Sequence, residues 1–116
     1  MAASDGDAVN PIQVEIGLKA AEDIDTIAAN RGPKFKMQVT KKLRCLALDP
    51  ELGDTLHEFG PDVHDVKIVG RYRGIYRYHR ERNIVKLCAV GIRNEGKTRD
   101  VYEVARRRGL EEIDPS

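Results

Sequence analysis

Arginine and tyrosine alternate along "GRYRGIYRYHR" (residues 70–80), the part of the sequence best suited to chemistry. In a β-strand, successive side chains point to opposite faces of the sheet. One face would then carry three arginines and the other three tyrosines (Arg71, Arg73 and Arg77; Tyr72, Tyr76 and Tyr78). Because the planar guanidinium donates two parallel hydrogen bonds to phosphate oxygens and keeps its charge, arginine is well suited to binding phosphate. The pattern predicts an anion-binding face with tyrosines packed behind it.

The charge of the chain is distributed unevenly. The 116 residues carry a formal net charge of +1, but residues 71–108 hold twelve Lys or Arg against four Asp or Glu. Residues 1–60 hold seven against ten, and residues 109–116 hold three acids and no base. A local excess of this kind indicates that one surface binds a polyanion while the remainder faces water or another protein.

Hydrophobic periodicity predicts the elements that position the arginines. Residues 11–17 alternate as a strand, and residues 18–30 have helical spacing. A second helix begins at Pro33 and ends at "LDPELGD", so the two helices should form an antiparallel hairpin. Three strands (64–70, 71–79 and 83–92) and a short helix (99–109) complete the series. The order predicts an α+β fold, in which an N-terminal strand and a two-helix hairpin pack on a small, mainly antiparallel twisted sheet with a short C-terminal helix. We expect the helices to gather on one face.

The length predicts a single domain. We expect a disordered leader over residues 1–10, the domain over residues 11–109 and an acidic tail over residues 110–116. No apolar run reaches the roughly 20 residues that span a bilayer, and the N-terminus lacks the pattern of a secretory signal. Cys45 and Cys88 lie in apolar runs without a shared motif, which indicates buried free thiols in a reducing cytoplasm. The histidines lack zinc-type spacing, so the sequence predicts no metal and no cofactor.

Four motifs together resemble the RelE/ParE superfamily of bacterial and archaeal type II toxins. They are "LALDPELG", which closes the second helix, "GRYRGIY" on a strand, "AVGIR" at the end of an apolar strand, and the helical "DVYEVARRR". The resemblance spans about residues 12–108. The "NEGKT" loop is similar to the longer loop of the HigB-like branch of this superfamily.

The resemblance implies a fold, an activity and partners. RelE-like and HigB-like members are ribosome-dependent nucleases that cut messenger RNA, act without metal in the cytoplasm, and are inhibited by a cognate antitoxin. The expected partners are therefore the ribosome, messenger RNA and an antitoxin, with which a heterotetramer or larger complex would form. ParE-like members share the fold but inhibit DNA gyrase. A third alternative is a toxin fold that has lost activity and only binds an antitoxin.

The resemblance also assigns roles to individual residues. Arg73 and Arg93 match the two phosphate-binding arginines of the family, and Tyr102 matches a tyrosine that stacks on or protonates the substrate. Cleavage through the 2′-hydroxyl also needs a general base and a general acid. Further cations are expected to contact the RNA backbone, in the arginine strand, the loop and the last helix (Arg71, Arg77, Lys97, Arg99 and Arg106).

The general base is the position where the sequence departs from the family. RelE-type nucleases carry Lys or Arg on the strand that precedes "YR", and this strand here reads "HDVKIVG". His64 falls at one of the basic positions and could act as base, since histidine titrates near neutral pH. Lys67 is displaced by one residue, and a one-residue bulge, which Gly70 would permit, would turn it towards the arginines. This departure keeps the gyrase-inhibitor alternative open.

Overall fold

A computed structural model describes residues 12–93 and 100–108 of the chain. Five strands, three helices and a single 3₁₀ turn occur in these ranges. The strands are β1 (Gln13–Ile16), β2 (Asp54–Thr55), β3 (Val63–Val69), β4 (Tyr72–His79) and β5 (Ile84–Ile92). The helices are α1 (Leu18–Arg31), α2 (Lys34–Leu48) and α3 (Val101–Arg108), and the 3₁₀ turn covers His57–Phe59. The predicted leader and acidic tail lie outside the described residues.

The strands form one mixed sheet in the order β1-β5-β4-β3-β2. Only β1 and β5 pair in parallel, and the other three pairs are antiparallel. The predicted α+β fold with a mainly antiparallel sheet is therefore confirmed. The sequence did not predict β2, a two-residue strand that pairs with β3 at the edge of the sheet.

Two apolar clusters cover the two faces of the sheet. The first joins α1 and α2 to the sheet through residues such as Ile24, Phe35 and Leu46, and it includes all three tyrosines of β4. The second joins α3 to the opposite face, through Val101 and Ala105. The expectation that the helices gather on one face was therefore wrong. The strands β4 and β5 are apolar on both faces in their central parts, which is why each face can bury a helix.

The hairpin of α1 and α2 follows from local sequence. Gly32 ends α1 with φ of 98°, a left-handed conformation that favours glycine, and its N–H donates to the carbonyl of Ala28. Pro33 directly precedes Lys34, so α2 begins one residue after its predicted start at Pro33. Cys45 on α2 is exposed, contrary to the prediction, whereas Cys88 in β5 is buried. None of the described helices is long and apolar enough to span a membrane.

A salt bridge fixes the end of α3 at the edge of the sheet. The guanidinium of Arg108 lies 2.7 Å from Oδ1 of Asp23 in α1 and donates to the carbonyl of Cys88. The other carboxylate oxygen of Asp23 accepts the N–H of Val90, at 2.9 Å. The short strand β1 pairs only with residues 84–87 of β5. The carboxylate of Asp23 therefore bonds the N–H of Val90, which β1 does not reach. The last turn of α3 is thereby held against α1 and β5.

A bulge in β3 sets the direction of the side chains next to the arginines. Lys67 is the partner of Arg73 across the sheet, and the register shifts between Lys67 and Val69. Gly70, with φ of 56°, takes the left-handed position in the turn to β4. The bulge that the sequence analysis required is thus present. It places Asp65 and Lys67 on the face of Arg73, and His64 on the face of α1 and α2.

Candidate nucleic-acid interface

Arg73 projects from β4 on the face covered by α3, and a buried carboxylate accompanies it. Its Nη1 lies 3.1 Å from Oδ1 of Asp65 in β3. Asp65 is only 5% exposed, whereas 30% of the side chain of Arg73 remains open to solvent. An arginine has five N–H donors, and the pair with Asp65 occupies one of its nitrogens. Arg73 can therefore bind an anion from solvent while Asp65 holds it in place.

Tyr102, in the first turn of α3, contacts the same carboxylate. Its hydroxyl donates to Oδ2 of Asp65 at 2.5 Å. Burial, followed by the hydrogen bond to Asp65, raises the pKa of Tyr102 to about 12. The hydroxyl therefore keeps its proton at neutral pH, and both oxygens of Asp65 are engaged.

Arg93, at the end of β5, completes the group from the other side of Tyr102. Its Cζ lies 4.1 Å from the centroid of the Tyr102 ring, and its Nη1 donates to Oδ1 of Asp100 at 2.8 Å. Asp100 is 2% exposed, and its Oδ2 accepts the N–H of Tyr102, as a helix N-cap does. The five residues Arg73, Asp65, Tyr102, Asp100 and Arg93 are referred to below as the arginine–carboxylate cluster.

An open cleft of about 360 Å³ lies beside Arg73, at the β2 edge of the sheet. Its charged lining consists of three cations and two carboxylates (Lys42, Lys67 and Arg73; Asp54 and Asp65). Lys67 is exposed, so its ammonium is available to an anion in the cleft. The structure therefore brings together Arg73, Lys67, Tyr102 and Arg93 of the predicted site. Their roles stay predictions.

His64 is not part of this group. It is 2% exposed, its ring stacks on Tyr76 with centroids 5.2 Å apart, and its Nδ1 lies 3.3 Å from the hydroxyl of Thr55. Its Nε2 is buried and has no hydrogen-bond partner within the described ranges. Because the ring is on the opposite face from Arg73, the prediction of His64 as general base is corrected.

The buried imidazole predicts a pH dependence of stability. Burial lowers the pKa of His64 below 6.5. Between that lowered value and about 6.5 the unfolded chain binds more protons, so stability is lost as the pH falls through this window. We expect the free energy of unfolding, measured with urea at several pH values, to fall on acidification by up to about 1.4 kcal/mol per pH unit from this residue. His64→Gln should reduce the slope, whereas His57→Gln, at an exposed histidine, should not. Equal slopes for wild type and His64→Gln would contradict the assignment.

The remaining predicted RNA contacts are dispersed. Arg71 lies beside the cluster, and its Nη2 donates to the carbonyl of Arg93. Arg77 is half-buried on the face of Arg73, four residues further along β4. Arg106 is engaged by carboxylates, with Glu58 at 2.8 and 2.9 Å and with Glu103. Lys97 and Arg99 lie outside the described residues.

The sequence analysis missed the two carboxylates of the cluster. Asp65 and Lys67 are two residues apart on β3 and therefore share one face of the strand. Once the bulge was known, this period of two could have placed both on the face of Arg73. Asp100 directly precedes the apolar periodicity of α3, which is the position of an N-cap. Each site arginine is consequently paired with an acid, and the local positive charge is smaller than the count of arginines indicates.

The part of the chain that the structure describes contains no group of three His, Cys, Asp or Glu side chains suited to a metal ion. The arginine–carboxylate cluster and the cleft present guanidinium, ammonium, phenol and carboxylate groups. The cationic groups bind phosphate, and the others can exchange protons.

Comparisons with known proteins show the class of fold. No protein-family model matches the sequence, and the search of curated proteins finds no match. Among solved structures, a double arginine-to-alanine mutant of the E. coli toxin RelE in the free state matches with a TM-score of 0.67 and 22% identity, over 87% of this chain and 100% of that one. The RelBE2 toxin–antitoxin complex from M. tuberculosis matches with a TM-score of 0.61 and 22% identity, over 72% of this chain and 100% of that one. The intact RelBE toxin–antitoxin complex of E. coli matches with a TM-score of 0.59 and 20% identity, over 72% of this chain and 99% of that one.

The chain therefore has a RelE-like toxin fold, as its motifs predicted. At these identities the likeness concerns the fold, and the activity must be argued from the site.

Proposed function

We propose that this protein is the toxin of a type II toxin–antitoxin system, and that it is a ribosome-dependent, metal-independent endoribonuclease that cuts messenger RNA and inhibits translation. One observation carries the proposal. Arg93 packs on the ring of Tyr102, whose hydroxyl bonds the carboxylate that pairs with Arg73, next to an open cleft that also exposes Lys67. A RelE-like toxin fold with cations in this arrangement is suited to the phosphate of an RNA chain.

The arrangement would act mainly through electrostatic stabilisation. In RNA cleavage through the 2′-hydroxyl, negative charge develops on the phosphate oxygens as the phosphorus becomes five-coordinate. Guanidinium groups fixed in advance stabilise that charge without having to reorganise during the reaction. Before a phosphate binds, Asp65 and Asp100 hold Arg73 and Arg93 in position, because each carboxylate is almost fully buried and bonds one arginine.

The partners follow from the same proposal. The M. tuberculosis and E. coli neighbours are complexes of a toxin with its antitoxin. An antitoxin that inhibits this protein is therefore expected, in a heterotetramer or larger complex within the cytoplasm. The ribosome and messenger RNA would be the targets of the free protein.

Controlled expression in a bacterial host tests the proposal. Growth should stop, and the incorporation of labelled amino acids should fall before that of labelled thymidine. An unaffected culture would contradict the proposal of a toxin. A fall in DNA synthesis that precedes the fall in translation would contradict the proposed ribonuclease.

A second candidate function has specific support. Asp65 partly neutralises Arg73, and the predicted base His64 lies on the opposite face. A ParE-like inhibitor of DNA gyrase needs no general base, so these observations favour it over a nuclease with a histidine base. Inhibition of gyrase supercoiling by the purified protein would support this alternative.

The hydroxyl of Tyr102 gives a further prediction. Since its pKa is raised to about 12, it is a weak proton donor at neutral pH. Tyr102→Phe is therefore expected to keep cleavage within about tenfold of the wild-type rate. Tyr102→Ala, which also removes the ring beneath Arg93, should cause a much larger loss. Rates would be measured on ribosomes programmed with a short message, and a loss of about 100-fold or more for Tyr102→Phe would show that the hydroxyl transfers a proton.

A further inference from the structure

Two carboxylates line the cleft beside Arg73, and they differ in their environment. Asp54 is exposed on the edge strand β2, and it faces Asp65 across the β2–β3 pair. Asp65 is buried, and its two oxygens bond Arg73 and Tyr102. Among the described residues, Asp65 is therefore the carboxylate that directly contacts Arg73 in the cleft.

Asp54 has no direct contact with Arg73, and the remaining side chains near Arg73 are unsuited to accept a proton. Lysine and arginine have no acceptor when protonated, which excludes Lys67, Arg73 and Arg93. The hydroxyl of Tyr102 already carries its proton, and its pKa is raised to about 12. His64 lies on the other face of the sheet.

We propose that Asp65 is the general base of the cleavage reaction, held inactive by Arg73 until a substrate phosphate binds. The inference rests on the proposed ribonuclease function. A phosphate that takes over the Nη1 donor of Arg73 releases Oδ1 of Asp65, while Tyr102 continues to hold Oδ2. The base thus becomes available only when the scissile phosphate is in place. This explains why Arg73 is paired with an acid. It also explains how β3 can lack part of the Lys and Arg set that RelE-type nucleases carry on this strand.

The cleavage step transfers two protons, one to Asp65 and one from Lys67. The 2′-oxygen attacks phosphorus as its proton passes to Oδ1 of Asp65, and the O2′–P bond forms while the P–O5′ bond breaks. The exposed ammonium of Lys67 gives a proton to the departing 5′-oxygen. The products are a 2′,3′-cyclic phosphate and a 5′-hydroxyl, and exchange with water restores both side chains.

The pH dependence of cleavage should reflect Asp65. The charged or titratable groups that face it are Arg73 on β4, Tyr102 on α3, Asp54 on β2, Lys67 on its own strand and Lys42 from α2. A general base acts only in its unprotonated form, so the single-turnover rate of the wild-type protein should fall on acidification and level off at higher pH.

The test compares Asp65→Asn with Asp25→Asn on ribosomes programmed with a short message; Asp25 lies on the exposed surface of α1, where it pairs with Lys36, away from the cleft. Asp65→Asn should lower the cleavage rate by about 10²–10⁴-fold and abolish the acidic limb of the pH profile. Asp25→Asn should retain a rate close to wild type. A message with a 2′-deoxy sugar at the scissile position cannot be cut, so it reports binding alone. Asp65→Asn should bind it at least as tightly as wild type, because a negative charge next to the phosphate has been removed.

Each contrary result has a distinct meaning. Cleavage by Asp65→Asn at the wild-type rate would overturn the inference while the ribonuclease function stands. A parallel loss of affinity and rate, with the acidic limb retained, would show that Asp65 only positions Arg73. If Asp65→Asn fails to fold, the wild-type pH profile decides, since a rate that does not fall on acidification excludes a carboxylate base. A message left intact by the wild-type protein would contradict the proposed function itself.

Discussion

Arg73→Ala is expected to lower the rate of messenger-RNA cleavage by about 10²–10³-fold and to relieve the growth arrest. Arg73 is the cation that joins the cleft to the arginine–carboxylate cluster. Its loss would remove a donor aimed at the developing phosphate charge and leave the buried Asp65 without its arginine partner. Arg73→Lys should restore only a part of the rate, because an ammonium cannot form the two parallel bonds of a guanidinium.

The matched control for this substitution is Arg80→Ala. Arg80 follows β4 directly, but it is paired with Glu51 on the surface at 3.0 Å, away from the cluster. It should leave cleavage and toxicity unchanged, and the cost in stability should be small. Cleavage by Arg73→Ala at more than about a tenth of the wild-type rate would remove Arg73 from the reaction. The rates would be measured in single turnover, and circular dichroism would verify that both variants are folded.

Asp100→Ala should be the most damaging substitution for stability within the cluster. Asp100 is 2% exposed, bonds Arg93, and caps α3 through the N–H of Tyr102. Its removal would leave the guanidinium of Arg93 without this partner and the first turn of α3 without its side-chain cap. We expect the free energy of unfolding to fall by about 3 kcal/mol.

Asp100→Asn separates the two contributions. Asparagine caps helices about as well as aspartate, so the cap would be retained while the negative charge next to Arg93 is lost. The free energy of unfolding should therefore fall clearly less for Asp100→Asn than for Asp100→Ala. Both values would be measured by urea denaturation followed by circular dichroism. A loss of less than about 1 kcal/mol for Asp100→Ala would show that the cap and the ion pair contribute little.

The sequence predicted the fold because its signals were local and repeated. Helical spacing in α1 and α2 and alternation in β4 are properties of short windows, and the "GRYRGIY" and "AVGIR" motifs added the resemblance to a known fold. Alternation also placed the tyrosines of β4 correctly, since all three lie in the cluster beneath α1 and α2. Boundaries shifted by one residue or so, as at Pro33, which is usual for helix ends.

The site depended on information that is not local. A single bulge after Lys67 decides which residues of β3 face Arg73, and it moved Asp65 into the site and His64 out of it. The sequence permitted that bulge without requiring it. The position of α3 depends on the apolar second faces of β4 and β5, and on the long-range pair of Arg108 with Asp23. Pairing between distant residues of this kind cannot be read from spacing along the chain.

The most direct test of the proposed function is to map the 5′ ends of messenger RNA after controlled expression of the wild-type protein, with Arg73→Ala as the inactive reference. We expect new 5′-hydroxyl ends inside translated codons for the wild-type protein, and none for Arg73→Ala. Intact messages in cells whose growth has stopped, together with inhibited gyrase supercoiling, would contradict the ribonuclease and favour the gyrase inhibitor.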